Sequence, residues 1–227
     1  MRGVFVTGTD TGVGKTVLAA AIVAALRAGG HRVTALKPLI TGLDEAPDPI
    51  WPRDHELLAQ TAGSSPAEVT LLSYGPPVSP HLAAELACVP IDPTTLVAGI
   101  RAAAARSPGP TVVEGVGGLL VPLTGGYDVR ALASELAMPL VVAARPGLGT
   151  INHTLLTLEA ARHAELEVAG VVLTPWPSDP DEIARSNRDT IERLGRVPVS
   201  VLPELARPDQ AALAAAGAEL PVAAWLA

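Results

Sequence analysis

Cysteine is almost missing from this chain: Cys88 stands alone among 227 residues, so no internal disulfide can form. His31, His55, His153 and His163 show no metal-ligand spacing with one another or with Cys88, which leaves no transition-metal site to read. Cys88 itself reads as a small packing residue without chemistry. Positive charge is also scarce. Sixteen Lys and Arg face twenty-three Asp and Glu, for a net charge of −7. With no global field to draw polyanions, nucleic acid is an unsuitable partner, and any phosphate must be held by local geometry. Long hydrophobic runs are missing too: Val17 to Leu26 falls far short of the roughly 20 residues that cross a bilayer, and Arg27 follows at once. Met1 to Val6 runs straight into a strand-like segment without the charged, apolar and cleavage regions of a secretory leader, which predicts a cytoplasmic protein with no membrane segment.

What is present is a globular composition, 48% apolar and 17% charged. The length suits one domain over residues 1–227. Strand-like and helical patterns alternate. Gly3–Thr7 reads as strand, Lys15–Ala28 as helix, and Arg32–Leu36 as strand after a Gly29-Gly30 stop. Helices follow at Thr94–Arg106, Asp128–Leu136, Thr150–His163 and Asp179–Leu194. Strands follow at Thr111–Glu114, Leu140–Ala144, Val168–Leu173 and Val199–Leu202. The strands are continuously apolar, as in sheets buried on both faces. The expected fold class is α/β: a mostly parallel sheet with helices on both faces, like that of P-loop NTPases. Thr41 to Pro90 breaks the rhythm, with helical pattern only at Asp54–Ala62 and His81–Ala87, and an excursion of this kind in a compact domain points to function. Residues 203–227 are Ala-rich and carry no motif; Leu220-Pro221-Val222 reads as a last turn or strand.

Gly8-Thr9-Asp10-Thr11-Gly12-Val13-Gly14-Lys15-Thr16 lies between the first strand and the first helix, the context that a phosphate-binding loop requires. Its glycines let successive N–H groups turn inward, and the helix start adds positive potential. Lys15 brings a full charge to β- and γ-phosphate oxygens, and the Thr16 hydroxyl can ligate Mg²⁺. The motif is a variant, because Thr9 occupies the place of its first glycine. ATP or another NTP with Mg²⁺ is the expected co-substrate, held by Asp10, Thr11, Gly12, Val13, Gly14, Lys15, Thr16 and Val17.

Together with this loop, Lys37-Pro38-Leu39-Ile40-Thr41-Gly42, Asp54, Glu114-Gly115-Val116-Gly117-Gly118 and Leu148-Gly149-Thr150-Ile151-Asn152-His153 resemble the dethiobiotin synthetase family, in order and spacing, from Met1 to about Asn187. The resemblance implies a homodimeric, Mg²⁺-dependent ligase that joins CO₂ to 7,8-diaminopelargonate at the expense of ATP. One amine becomes a carbamate, the carbamate attacks the γ-phosphate, and the second amine closes the cyclic urea.

Such chemistry brings anions together, so cations must neutralise them. Lys37, at the carboxyl end of the second strand, would project beside Lys15 in the crevice where open α/β sheets place ligands. Glu114 ends another apolar strand beside a glycine turn, where a metal-binding carboxylate belongs. Asp54 is the second carboxylate by resemblance, since Asp44, Asp48 and Glu56 lie close by and spacing does not choose among them. Resemblance also assigns Thr11 to catalysis with Lys15 and Lys37, and Thr41 and Gly117 to the substrate. It places the substrate's distant carboxylate at Gly149, Thr150, Ile151 and Asn152 from across the dimer interface. The free N–H groups of that helix start form an anion site without basic side chains. His81 lies in a substrate-covering loop by resemblance and is left out of catalysis. The family reads adenine with an asparagine where this chain has Thr174-Pro175, so tolerance of other NTPs is expected.

Two other readings stay open. An amidoligase of the cobyrinate-diamide type shares the loop but carries a glutamine-hydrolysing domain that this chain lacks after its core. A switch ATPase of the partition or septum-positioning type carries a signature lysine early in the loop, where this chain has Asp10.

Overall fold

The computed structural model describes residues 1–226; Ala227, the last residue of the motif-free stretch, lies outside them. The first strand, β1 (Gly3–Gly8), is buried at every position, and it turns through the glycine loop into α1 (Lys15–Ala28). Around it lie β2 (Thr34–Leu36), β5 (Thr111–Glu114), β8 (Leu140–Ala144), β9 (Val168–Trp176) and β10 (Val199–Pro203). These form one sheet in the order β10-β9-β8-β1-β5-β2, with every pairing parallel. The α/β expectation is met, and the continuous apolar runs have the reason given for them: both faces are covered.

Alternation along β1 shows the two layers. Val4 and Val6 face a layer made of α1, α2 (Asp54–Ala62), α3 (Pro66–Val69), α9 (Gln210–Ala218) and α10 (Val222–Trp225). Phe5 faces the other, where α4 (Pro80–Ala87), α5 (Pro93–Ala105), α6 (Val129–Leu136) and α7 (Thr150–His163) pack. The far end of that second layer is closed by α7 and α8 (Glu182–Gly195) over Val142, Ala144, Val171 and Leu173. Each fully buried Val, Leu or Phe contributes roughly 1.5–3 kcal/mol, so these layers hold in place the strand ends that carry the site.

Elements without a readable period appear only in the structure. The two-residue strands β3 (Leu39–Ile40) and β4 (Leu72–Ser73) pair in parallel, and β6 (Pro122–Thr124) and β7 (Tyr127–Asp128) form a small antiparallel ribbon. Leu220-Pro221-Val222 introduces a helical turn, α10, and no strand. Cys88 corrects the packing expectation: it is exposed and caps α4 in a left-handed conformation at φ 54°. Among the described residues no helix is long and apolar enough to cross a membrane.

Candidate active site

The loop after β1 ends at Gly14, whose φ of 89° suits glycine far better than any residue with a side chain. A Cβ there would also lie 2.9 Å from Thr174 Cγ2, so the loop is pressed against the end of β9. Lys15 follows as the first residue of α1. Its ammonium crosses the loop and donates to the Asp10 carbonyl at 2.8 Å. Burial, with Lys37 nearby, lowers its pKa to about 8. An anion bound in the loop would raise it again.

Lys37 follows the last residue of β2 and is buried. Its main chain is held by α3: the Lys37 N–H donates to the Val69 carbonyl at 3.0 Å, and the Thr70 hydroxyl donates to the Lys37 carbonyl at 3.0 Å. Its ammonium donates to Asp54 Oδ2 at 2.8 Å, to Glu114 Oε1 at 2.5 Å and to the Gly115 carbonyl at 3.1 Å. Burial alone would lower the Lys37 pKa, but Asp54 and Glu114 outweigh it and raise it. Asp54 opens α2, with the Arg53 N–H bonded to Glu56 Oε2 at 3.0 Å and the Arg53 guanidinium holding the carbonyls of Leu43 and Glu45. Burial works against its charge, yet the Lys37 ammonium beside it pulls its pKa down.

Glu114 ends β5 and is buried. Its Oε1 accepts from Thr16 at 2.9 Å as well as from Lys37, whereas Oε2 is buried with no hydrogen-bond partner among the described residues. Burial and then the nearness of Asp54 raise its pKa, against the pull of Lys37. An orphaned carboxylate oxygen in a buried site costs on the order of 1–3 kcal/mol, a penalty that a cation would remove. The Thr16 hydroxyl, Asp54 and Glu114 offer the all-oxygen donors that suit a hard divalent ion. No group of three or more His, Cys, Asp or Glu residues gathers among the described residues, so phosphate and water oxygens would have to complete the coordination.

These groups open into a cavity of about 760 Å³. It brings together Thr11, Gly12, Gly14, Lys15, Thr16, Val17, Lys37, Thr41, Asp54, Glu114 and Gly117 from the sequence expectation. Val13 does not line it and sits in the core beneath the loop, and Asp10 flanks it through its carbonyl. Thr174 is buried behind Gly14 with Pro175 next to it, outside the lining. Gly149, Thr150, Ile151 and Asn152 do not line it either; they form the start of α7, where Gly149 has φ 90°. The excursion from Thr41 to Pro90 supplies walls that sequence reasoning missed. Trp51, Pro52, Pro77 and Val78 are apolar, loop-borne residues whose only signal was the break in rhythm, whereas Ser79 and Pro80 also line the cavity and belong to the segment that resemblance gave as a substrate-covering loop. Ser79 Oγ lies 3.1 Å from His81 Nδ1, and His81 itself lines a different cavity.

Known proteins resemble this chain over most of its length. A family described as AAA domain matches residues 2–210. The ATP-dependent dethiobiotin synthetase of Haloferax mediterranei is 41% identical over 208 residues, covering 91% of this chain and 86% of the relative. That of Anaeromyxobacter dehalogenans is 43% identical over 206 residues, covering 89% and 90%. That of Agrobacterium fabrum is 42% identical over 202 residues, covering 88% and 86%. Among solved structures, a ParA family ATPase from Chlorobium tepidum superposes with a TM-score of 0.56 at 16% identity, covering 98% of this chain and 93% of that one. Pyrococcus furiosus MinD gives 0.50 at 18%, covering 90% and 84%. At such low identity these two share the fold alone, and the switch-ATPase reading gains nothing from them. Identity of about two residues in five over nearly the whole length decides the matter: the chain belongs to the family of ATP-dependent dethiobiotin synthetases.

Proposed function

We propose that the cavity between the phosphate loop, Lys37 and the 41–90 excursion is where this dethiobiotin synthetase converts 7,8-diaminopelargonate, CO₂ and ATP into dethiobiotin, ADP and phosphate. The observation that carries this reading is the Lys37 ammonium, buried and bridging Asp54 and Glu114 beside the start of α1. A fixed cation there suits a step in which a carbamate oxygen approaches a γ-phosphate, because both reactants are anionic.

The chain's own residues divide the work. The inward N–H groups of Gly12 to Thr16 and the Lys15 ammonium hold the β- and γ-phosphates, with Asp10, Val13 and Val17 shaping the loop. Mg²⁺ held by Thr16, Asp54 and Glu114 would neutralise phosphate charge. Lys37 steadies the carbamate that one amine forms with CO₂. When a carbamate oxygen displaces ADP, a carbamic-phosphoric anhydride results. Attack of the second amine on its carbonyl carbon expels phosphate and closes the urea, the amine proton leaving with solvent or phosphate. Thr11 and Thr41 hydroxyls accept or donate as these nitrogens change charge, and Gly117 leaves room for the substrate chain. The α7 turn at Gly149 to Asn152 would receive the distant carboxylate of a substrate held by a second copy, which makes the working unit a homodimer.

Incubation with 7,8-diaminopelargonate, bicarbonate, Mg²⁺ and ATP, followed by mass spectrometry, tests the reading. Dethiobiotin is expected with the natural chain and at least a hundredfold less with Lys37→Ala, about the loss seen when a fixed transition-state donor is removed. Bound or hydrolysed ATP without dethiobiotin would leave a nucleotide site and remove the ligase.

A further inference from the structure

The phosphate loop is held from outside by a residue that none of the roles above use. Arg145 follows the last residue of β8, the strand beside β1, and its guanidinium reaches across to the crest of the loop. Its Nη2 donates to the Thr11 carbonyl at 3.0 Å, and a Cβ on Gly12 would lie 3.4 Å from the same nitrogen. In a planar trans peptide the carbonyl of one residue and the N–H of the next point in opposite directions. A Thr11 carbonyl held outward by Arg145 therefore turns the Gly12 N–H the other way, toward the cavity that Gly12 lines.

The neighbouring peptide shows why this matters. The Thr11 N–H is already taken by its neighbour's side chain, donating to Asp10 Oδ1 at 2.7 Å, so it is not free for a phosphate. The Gly12 N–H thus becomes the first free donor of the cradle, at a glycine with φ 69° whose peptide could otherwise rotate. Arg145 is in turn set in place from the other side. Asn187 of α8, buried, donates from Nδ2 to the carbonyls of Pro146 at 2.9 Å and Gly147 at 3.1 Å. The turn after β8 is clamped by Asn187, and its arginine clamps the loop.

We propose that Arg145 is a positioning residue for ATP: it fixes the Thr11–Gly12 peptide so that the loop meets the phosphates with its N–H groups already aimed. This rests on the ATP reading of the site and on no property of the second substrate. Steady-state kinetics and calorimetric titration of Mg·ATP against Arg145→Gln and Arg145→Lys test it. Loss of a charge-assisted hydrogen bond at an open position predicts a rise of about tenfold in KM for ATP and in the calorimetric Kd for Arg145→Gln. Arg145→Lys, which keeps a charged donor, should recover much of that loss, with KM for the diamine and the melting temperature unchanged in both. Unchanged ATP affinity in Arg145→Gln overturns the proposal, as does an equal rise in both KM values or a loss that tracks melting temperature. Because titration reads ATP alone, a natural chain that binds ATP but makes no dethiobiotin would sink the ligase reading and leave this test standing.

Discussion

At the residue scale the site is a charge problem solved by placement. Lys37 is buried between two carboxylates, and the three are mutually dependent: removing the ammonium leaves Asp54 and Glu114 facing each other, and removing a carboxylate leaves a buried cation. Lys15 differs because no carboxylate touches it, and burial beside Lys37 therefore lowers its pKa. Thr174 is a residue whose position changes its meaning. By resemblance it takes the place of an adenine-reading asparagine, but its side chain lies against Gly14, 2% exposed. A hydroxyl packed behind the phosphate loop offers a base no paired donor and acceptor. We expect ATP, CTP and GTP to give kcat/KM values within about tenfold of one another. A thousandfold preference for ATP in the same assay would show that backbone groups near Pro175 read the base instead.

At the element scale, helices act on the site through what they hold. α3 has four residues and does not line the cavity, yet Val69 and the neighbouring Thr70 bond the N–H and the carbonyl of Lys37. α9 supports the site from a distance by packing on α1. Its Gly217 lies so close that a Cβ would sit 2.0 Å from the Ala21 carbonyl oxygen. Gly217→Ala must push α9 away from α1, and overpacking of this kind costs roughly 1–3 kcal/mol. Melting temperature should fall by several degrees, at about 2–4 °C per kcal/mol for a chain of this size. Ala21 lies six residues beyond Lys15, about 9 Å along the helix. KM for ATP should therefore stay within about twofold; a large rise would mean that α9 also sets the phosphate loop.

At the scale of the whole molecule, the cavity and the start of α7 are separate within one chain. Gly149 to Asn152 start the helix that follows β8, which lies on the far side of β1 from β5 and β2, and none of them lines the cavity. In the proposed homodimer a second copy brings its α7 turn to this cavity. Asn152→Asp tests the arrangement, because an acid at a helix start is well tolerated by the fold yet repels a carboxylate ligand. We expect about a tenfold higher KM for the diamine with KM for ATP unchanged. Mixing this variant with Lys37→Ala at low substrate should restore about a quarter of natural activity, since half of randomly paired dimers then hold one intact site. No recovery on mixing would place the α7 turn in its own chain's site.

The strands of the main sheet, the long helices and the phosphate loop were legible along the chain. Their signals are local: continuous apolar runs for strands covered on both faces, 3.6-residue periods ended by glycines, and a Gly-Val-Gly-Lys-Thr run between strand and helix. The sequence also named Lys37, Asp54 and Glu114, though Asp54 only by resemblance, because several nearby acids share its spacing. Tertiary structure alone decided that these three meet at one ammonium, since they arrive from β2, α2 and β5 and nothing along the chain records the order of strands. The same holds for the walls at Trp51 and Val78, for Cys88 on the surface, and for Arg145 reaching the loop 134 residues away. Such contacts are set by which strands lie side by side, a property of packed layers and not of any stretch of chain.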